Sequence, residues 1–148
     1  MTITILTHDP RWSGLAPTVR RAAEAALAQK RVKRAALNIV LSDDDEVKAL
    51  NNQYRGKNKS TNVLSFPNGE VEEGVKQLGD IILAFETILA EAAQQGKKLK
   101  AHVTHLTIHG VLHLLGHDHE DEREAETMEA IEIKILASMG IANPYESA

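Results

Sequence analysis

His109-Gly110-Val111-Leu112-His113-Leu114-Leu115-Gly116-His117-Asp118-His119 is the stretch on which the fold of this chain turns. His109 and His113 are four residues apart in a segment of helical pattern. Their imidazoles therefore stand on one face, one turn apart, and can grip one ion. Gly116 follows where a helix ends in a left-handed residue, and the reversal it permits swings His119 back toward the same ion. Three imidazole nitrogens with one position left open make a catalytic rather than a structural zinc site. Leu106, Ile108, Val111, Leu112, Leu114 and Leu115 surround these histidines. A charged imidazole is costly to bury among them, whereas a metal-bound neutral one is compensated.

Six of the seven histidines lie between His102 and His119, and the chain has no cysteine. Disulfides and thiolate sites are thereby excluded, leaving histidine and carboxylate as the strong metal ligands. His102 and His105 fall on the His109 side of the helix, either behind the ligands, along a cleft, or exposed. His117 sits in the turn, at the surface or the cleft rim; Asp118 either orients a ligand imidazole or caps the final helix, the cap being the expectation because Asp is common there.

Outward from the histidines, the pattern predicts one α+β domain spanning residues 1–148. It has about four strands in a mixed sheet, packed with about five helices, the histidine helix being zincin-like. Thr2–Leu6 alternates with period two and predicts a strand. After Pro10 and a Ser13 cap, Leu15, Val19, Ala22, Ala23, Ala26 and Leu27 recur at helical spacing. Ala35–Leu41 is an apolar run of strand length, and Ser42-Asp43-Asp44-Asp45-Glu46 starts a helix through Tyr54. A basic loop spans 55–61, Asn62–Phe66 is a strand, and 68–77 is a loop or hairpin connection. Asp80–Ala84 is the last strand. Helices then cover 85–95, 99–115 and 120–139, the final one burying Ala125, Met128, Ile131, Ile135 and Met139 and turning its glutamates to water.

With 148 residues, 43% hydrophobic and 26% charged, the chain is neither a disordered tail nor a fibre. MTITILTHDPRW lacks the basic and apolar regions of a signal peptide, and no run approaches the ~20 apolar residues of a membrane span. A cytoplasmic protein is the expectation. The net charge of −4 is unevenly spread: residues 117–148 hold nine acids and two bases, a net of −7, and residues 1–116 carry +3. A mildly basic body beside an acidic helix is compatible with holding a polyanion.

The spacing H-x3-H-x2-G-x2-H is shared with metzincin metalloproteases, which place a general-base glutamate directly after the first histidine. Here that position is Gly110, which argues against proteolysis. HGVLHLLGHDH instead resembles the signature of the YbeY family of bacterial rRNA maturation endoribonucleases, HGxLHLxGYDH. The similarity extends to Leu50-Asn51-Asn52-Gln53-Tyr54-Arg55-Gly56-Lys57, to Thr61-Asn62-Val63-Leu64-Ser65-Phe66-Pro67 and to Gly79-Asp80-Ile81, in the family's order and spacing.

The resemblance implies one zinc ion held by His109, His113 and His119, a cytoplasmic location and action on single-stranded RNA during ribosome maturation. It also implies that Arg55 is important for activity, and it points to the small ribosomal subunit and its assembly factors as partners. Two positions depart from the family pattern. His117 replaces a tyrosine, changing the cleft rim or adding a fourth nitrogen. Asn62 replaces an aspartate, with a hydrogen bond near the strand expected to loosen.

Phosphodiester cleavage accumulates negative charge on the phosphoryl oxygens, which a metal can polarise. Arg55 offers a planar fork suited to phosphate, and Lys57 and Lys59 can hold neighbouring phosphates. Two other functions fit part of the pattern: a non-catalytic zinc-containing ribosome-assembly factor, and a metallopeptidase-like hydrolase. Neither a general base nor an oligomeric state has a sequence signal.

Overall fold

The computed structural model describes residues 1–146; residues 147–148, the end of the expected domain, lie outside the described residues. Five strands form one mixed sheet: β1 (Thr2–Thr7), β2 (Ala35–Ser42), β3 (Val63–Pro67), β4 (Val71–Glu72) and β5 (Val75–Ala84). Five helices pack with it: α1 (Ala16–Gln29), α2 (Asp44–Arg55), α3 (Phe85–Gln94), α4 (Leu99–Leu114) and α5 (Glu122–Ser138). The strand order is β1-β2-β5-β3, with β4 paired to β5. β1, β2 and β5 run parallel, and β3 lies antiparallel at the edge.

The sheet has one strand more than the four expected, because the 68–77 stretch takes the hairpin form of the two connections open to it. Val71 pairs with Lys76 and Glu72 with Val75, so β5 begins at Val75 rather than Asp80. Between these halves the register of β2 against β5 slips by one residue, and Gly79 takes φ +133° there. A Cβ at Gly79 would lie 2.1 Å from the Phe66 carbonyl oxygen, so only glycine lets β3 approach β5.

Alternation sorts β2 cleanly. Ala35, Leu37, Ile39 and Leu41 face the principal core with Ile81 and Leu83 of β5, against α1, α4 and α5. Val47, Leu64, Ile82 and Ala84 make a smaller core beneath α2 on the opposite face. The acids before α2 behave as expected: the Asp43 carboxylate accepts from the Glu46 N–H at 2.8 Å and caps the helix. Ser13 does not cap α1. Asp9 instead caps a single 3-10 turn at Pro10–Trp12, and α1 starts behind Leu15 with Pro17 in its first turn.

α4 is apolar almost all round because it is buried almost all round, crossing the sheet under α1, α3 and α5. Val103, Ile108, Val111 and Leu112 have no solvent exposure. Burial of each such side chain contributes about 1.5–3 kcal/mol. Gly110 is the point of closest approach, where a Cβ would stand 3.1 Å from Ile81 Cγ2. A glutamate there would drive its carboxylate into the sheet, which gives the absence of the metzincin base a packing cause. Among the described residues no helix is long and apolar enough to cross a membrane.

Candidate metal centre

α4 ends in a Schellman turn. The Gly116 N–H donates to the His113 carbonyl at 3.0 Å and the His117 N–H to the Leu112 carbonyl at 3.0 Å, with Gly116 at φ +98°. The chain reverses as expected and returns His119 over the end of the helix. His109, His113 and His119 each bring one ring nitrogen to a common point, all within 4.8 Å of one another. The Nε2 atoms of His109 and His113 are 3.0 Å apart.

Behind this cup lies a group absent from the sequence reading. Glu132 of α5 is completely buried, and its Oε2 sits 2.8 Å from His109 Nδ1. The imidazole donates from Nδ1, which leaves the Nε2 lone pair turned toward His113 and His119. Oε1 of Glu132 stands 3.2 Å from His105 Nε2 and accepts from the Tyr145 hydroxyl. Burial pushes the Glu132 carboxyl up, but hydrogen bonds from His105, His109 and Tyr145 outweigh it and hold it at about 2. Burial and the same carboxylate push the Tyr145 phenol up.

A buried anion costs several kcal/mol unless a cation compensates it. No lysine or arginine among the described residues pairs with Glu132; its ion-pair partners are His105 and His109. A divalent cation held on the far side of His109 would add positive charge next to this carboxylate, so the donor set fits a metal. The expectation that the α5 glutamates all face water is corrected at Glu132. Its position, four residues after Met128 and three before Ile135, lies on the apolar stripe, and that was the legible signal.

The neighbouring residues also sort out. His102 is 4% exposed, and its Nε2 lies 2.9 Å from Glu91 Oε1. Asn62 donates to both oxygens of Glu91, at 3.1 and 3.3 Å. His117 lines the groove without joining the three-nitrogen cluster. Asp118 accepts from the His119 N–H at 2.7 Å, and the cap of α5 is Asp121, which accepts from the Glu124 N–H at 2.8 Å.

The three histidines stand in a groove of about 900 Å³. Arg55, Lys57 and Lys59 line it too. Arg55 is the last residue of α2, exposed and without an ion pair among the described residues. Gly56, at φ +67°, turns the chain out of the helix, and Asn51 holds the following loop by donating to the Lys59 carbonyl at 2.9 Å.

Fold and site together define a class: an α+β protein with a three-histidine metal cup on a helix laid across a mixed sheet, opening into a cation-lined groove. The family model described as "Endoribonuclease YbeY" matches residues 7–140. Curated relatives named Endoribonuclease YbeY include one from Azorhizobium caulinodans, 46% identical over 98% of this chain and 96% of its own. Another, from Parvibaculum lavamentivorans, is 49% identical over 97% of this chain and 84% of its own. The solution structure of TM1509 from Thermotoga maritima shares the fold at a TM-score of 0.63, with 24% identity, covering 99% of this chain and 97% of that one. The chain belongs to the YbeY endoribonuclease family.

Two outcomes follow from the site. Glu132→Gln keeps the shape but loses the anion, and the affinity for a divalent metal, titrated on the chelated protein, falls about 10–100-fold while the fold persists. In the metal-free protein, burial and the neighbouring His109 and His119 depress His113 to about 4 from its ordinary 6.5. The unfolded chain binds that proton first, so stability is present above pH 6.5 and declines as pH falls toward 4. Urea unfolding at a series of pH values should show this decline, made shallower by His113→Ala.

Proposed function

We propose that residues 1–148 act as one metal-dependent endoribonuclease domain, hydrolysing phosphodiester bonds of single-stranded RNA in rRNA maturation and ribosome quality control. The observation that carries this reading is the convergence of a three-imidazole cup and three cationic side chains on a single groove. His109, His113 and His119 are the ligands of one ion, and three imidazoles with an open position suit zinc. When bound, that ion supplies Lewis-acid stabilisation of charge on the phosphoryl group.

The remaining roles belong to the chain's own residues. Glu132 holds His109 in the tautomer that presents Nε2. Arg55, unpaired among the described residues, supplies a two-pronged donor for the phosphoryl oxygens as their charge grows. Lys57 and Lys59, on the loop pinned by Asn51, hold the phosphates on either side. The substrate in the cell is rRNA, presented by the small ribosomal subunit and its assembly factors in the cytoplasm.

Peptide hydrolysis fits the groove poorly, because Gly110 packs on Ile81 where a metallopeptidase needs its carboxylate base. The test is cleavage of a single-stranded rRNA fragment by zinc-loaded protein, with variants purified in parallel. His113→Ala should lose both metal and cleavage. Arg55→Ala should keep the metal and lose roughly 10²–10³ in rate, the usual effect of removing one stabiliser of developing charge. Undiminished cutting by metal-free His113→Ala, or an Arg55→Ala protein that only binds more weakly, would contradict the assignment.

A further inference from the structure

β3 forms one wall of the groove, and it does so edge-on. Thr61, Asn62, Val63, Leu64 and Ser65 line the groove in unbroken succession. Leu64 nevertheless buries its side chain on the α2 face of the sheet, at 1% exposure. A sheet face presents alternate residues, whereas a consecutive run is what a strand edge presents. β3 ends the strand order, so among the described residues no strand pairs with its outer side.

The register shows which backbone groups point outward. Asn62 lies opposite Ala84, whose N–H donates to the Asn62 carbonyl at 3.0 Å; Asn68 lies opposite Leu78 and donates to its carbonyl at 3.0 Å. These are hydrogen-bonded pairs, and the alternation of an antiparallel ladder makes Leu64 and Phe66 the same. Val63 and Ser65 therefore turn their N–H and C=O groups away from β5. Neither N–H has another partner among the described residues. The two donors stand about 6.8 Å apart, two residues along an antiparallel strand.

This edge is fixed relative to the histidines. The Ser65 hydroxyl donates to the Gly110 carbonyl at 3.3 Å, one residue from His109. Asn62 is tied through Glu91 to His102 on the same helix. Arg55, Lys57 and Lys59 line the same groove, so the whole surface is complementary to an extended polyanion.

We infer that the outer edge of β3 is a backbone rail for RNA, on which the Val63 and Ser65 N–H groups donate to phosphate oxygens of the strand passing the three histidines. This rests on the endoribonuclease reading. Backbone N–H contacts to phosphate carry no base information, so the rail holds a strand without selecting its sequence. A straight edge admits one extended strand, which suits single-stranded RNA.

Proline tests the rail, because it removes an N–H and is tolerated on a strand edge where that N–H makes no ladder bond. Binding of a fluorescein-labelled single-stranded oligoribonucleotide is measured by anisotropy on the full chain, across a salt series. Ser65→Pro is compared with Ser65→Ala, and Val63→Pro with Val63→Ala, so that side-chain effects cancel. Each proline should weaken binding about tenfold relative to its alanine partner, as expected for one hydrogen bond to a charged oxygen. The salt slope should stay unchanged, whereas Lys57→Ala should reduce it.

Equal affinity of folded proline and alanine variants would overturn the rail. Should a proline variant unfold, an amide-to-ester replacement at Ser65, which removes only the N–H, decides in the same assay. Displacement of the RNA by an uncharged extended peptide, with the proline effect falling on peptide affinity alone, would assign the edge to peptides instead. If the unaltered protein neither binds nor cuts RNA, the endoribonuclease reading itself fails. If it does both and the ester binds as tightly as the amide, only the rail fails.

Discussion

The contact between Glu132 and His109 sets the terms for the rest of the molecule. A carboxylate with no exposure to solvent sits 2.8 Å from an imidazole nitrogen. The imidazole can satisfy it only by donating from Nδ1, so in the neutral ring Nε2 is the lone-pair nitrogen and it faces the groove. Holding those two side chains at that distance requires α5 to lie against α4 and α4 to lie flat on the sheet. Gly110 permits the second contact at close range, since even a Cβ there would stand 3.1 Å from Ile81 Cγ2.

From that arrangement the groove follows. α4 brings two histidines to one wall, the Schellman turn at Gly116 returns the third, and the Ser65–Gly110 hydrogen bond places the edge of β3 alongside. α2, packed on the other face of the sheet, ends at Arg55 and delivers its cation round the β3 side. The metal cup thus belongs to one layer of the fold and the cations to the other. The edge strand is where the two meet.

Much of this was legible in the sequence because it rests on local rules. The four-residue histidine spacing, the glycine that ends the helix, the acid-rich start of α2 and the alternation of β2 are each decided within a few residues. What escaped was decided across the fold. The hairpin at 68–77 was one of the two readings open there, but β5 gains its first residues from pairing with β4, so its start at Val75 rather than Asp80 had no local signal. Asp118 and Asp121 are equally good caps by type, and the path of the turn after Gly116 selects the second. Glu132 escaped because a glutamate on an acidic helix ordinarily faces water, and the two histidines and the tyrosine that hydrogen-bond it converge from elsewhere in the chain.

The most direct measurement is metal content and X-ray absorption on protein purified without added metal. The account predicts one zinc per chain, with three imidazole nitrogens at about 2.0–2.1 Å and the signal lost in His113→Ala. A chain that binds no metal, or an ion whose ligand shell is unchanged by His113→Ala, would contradict it.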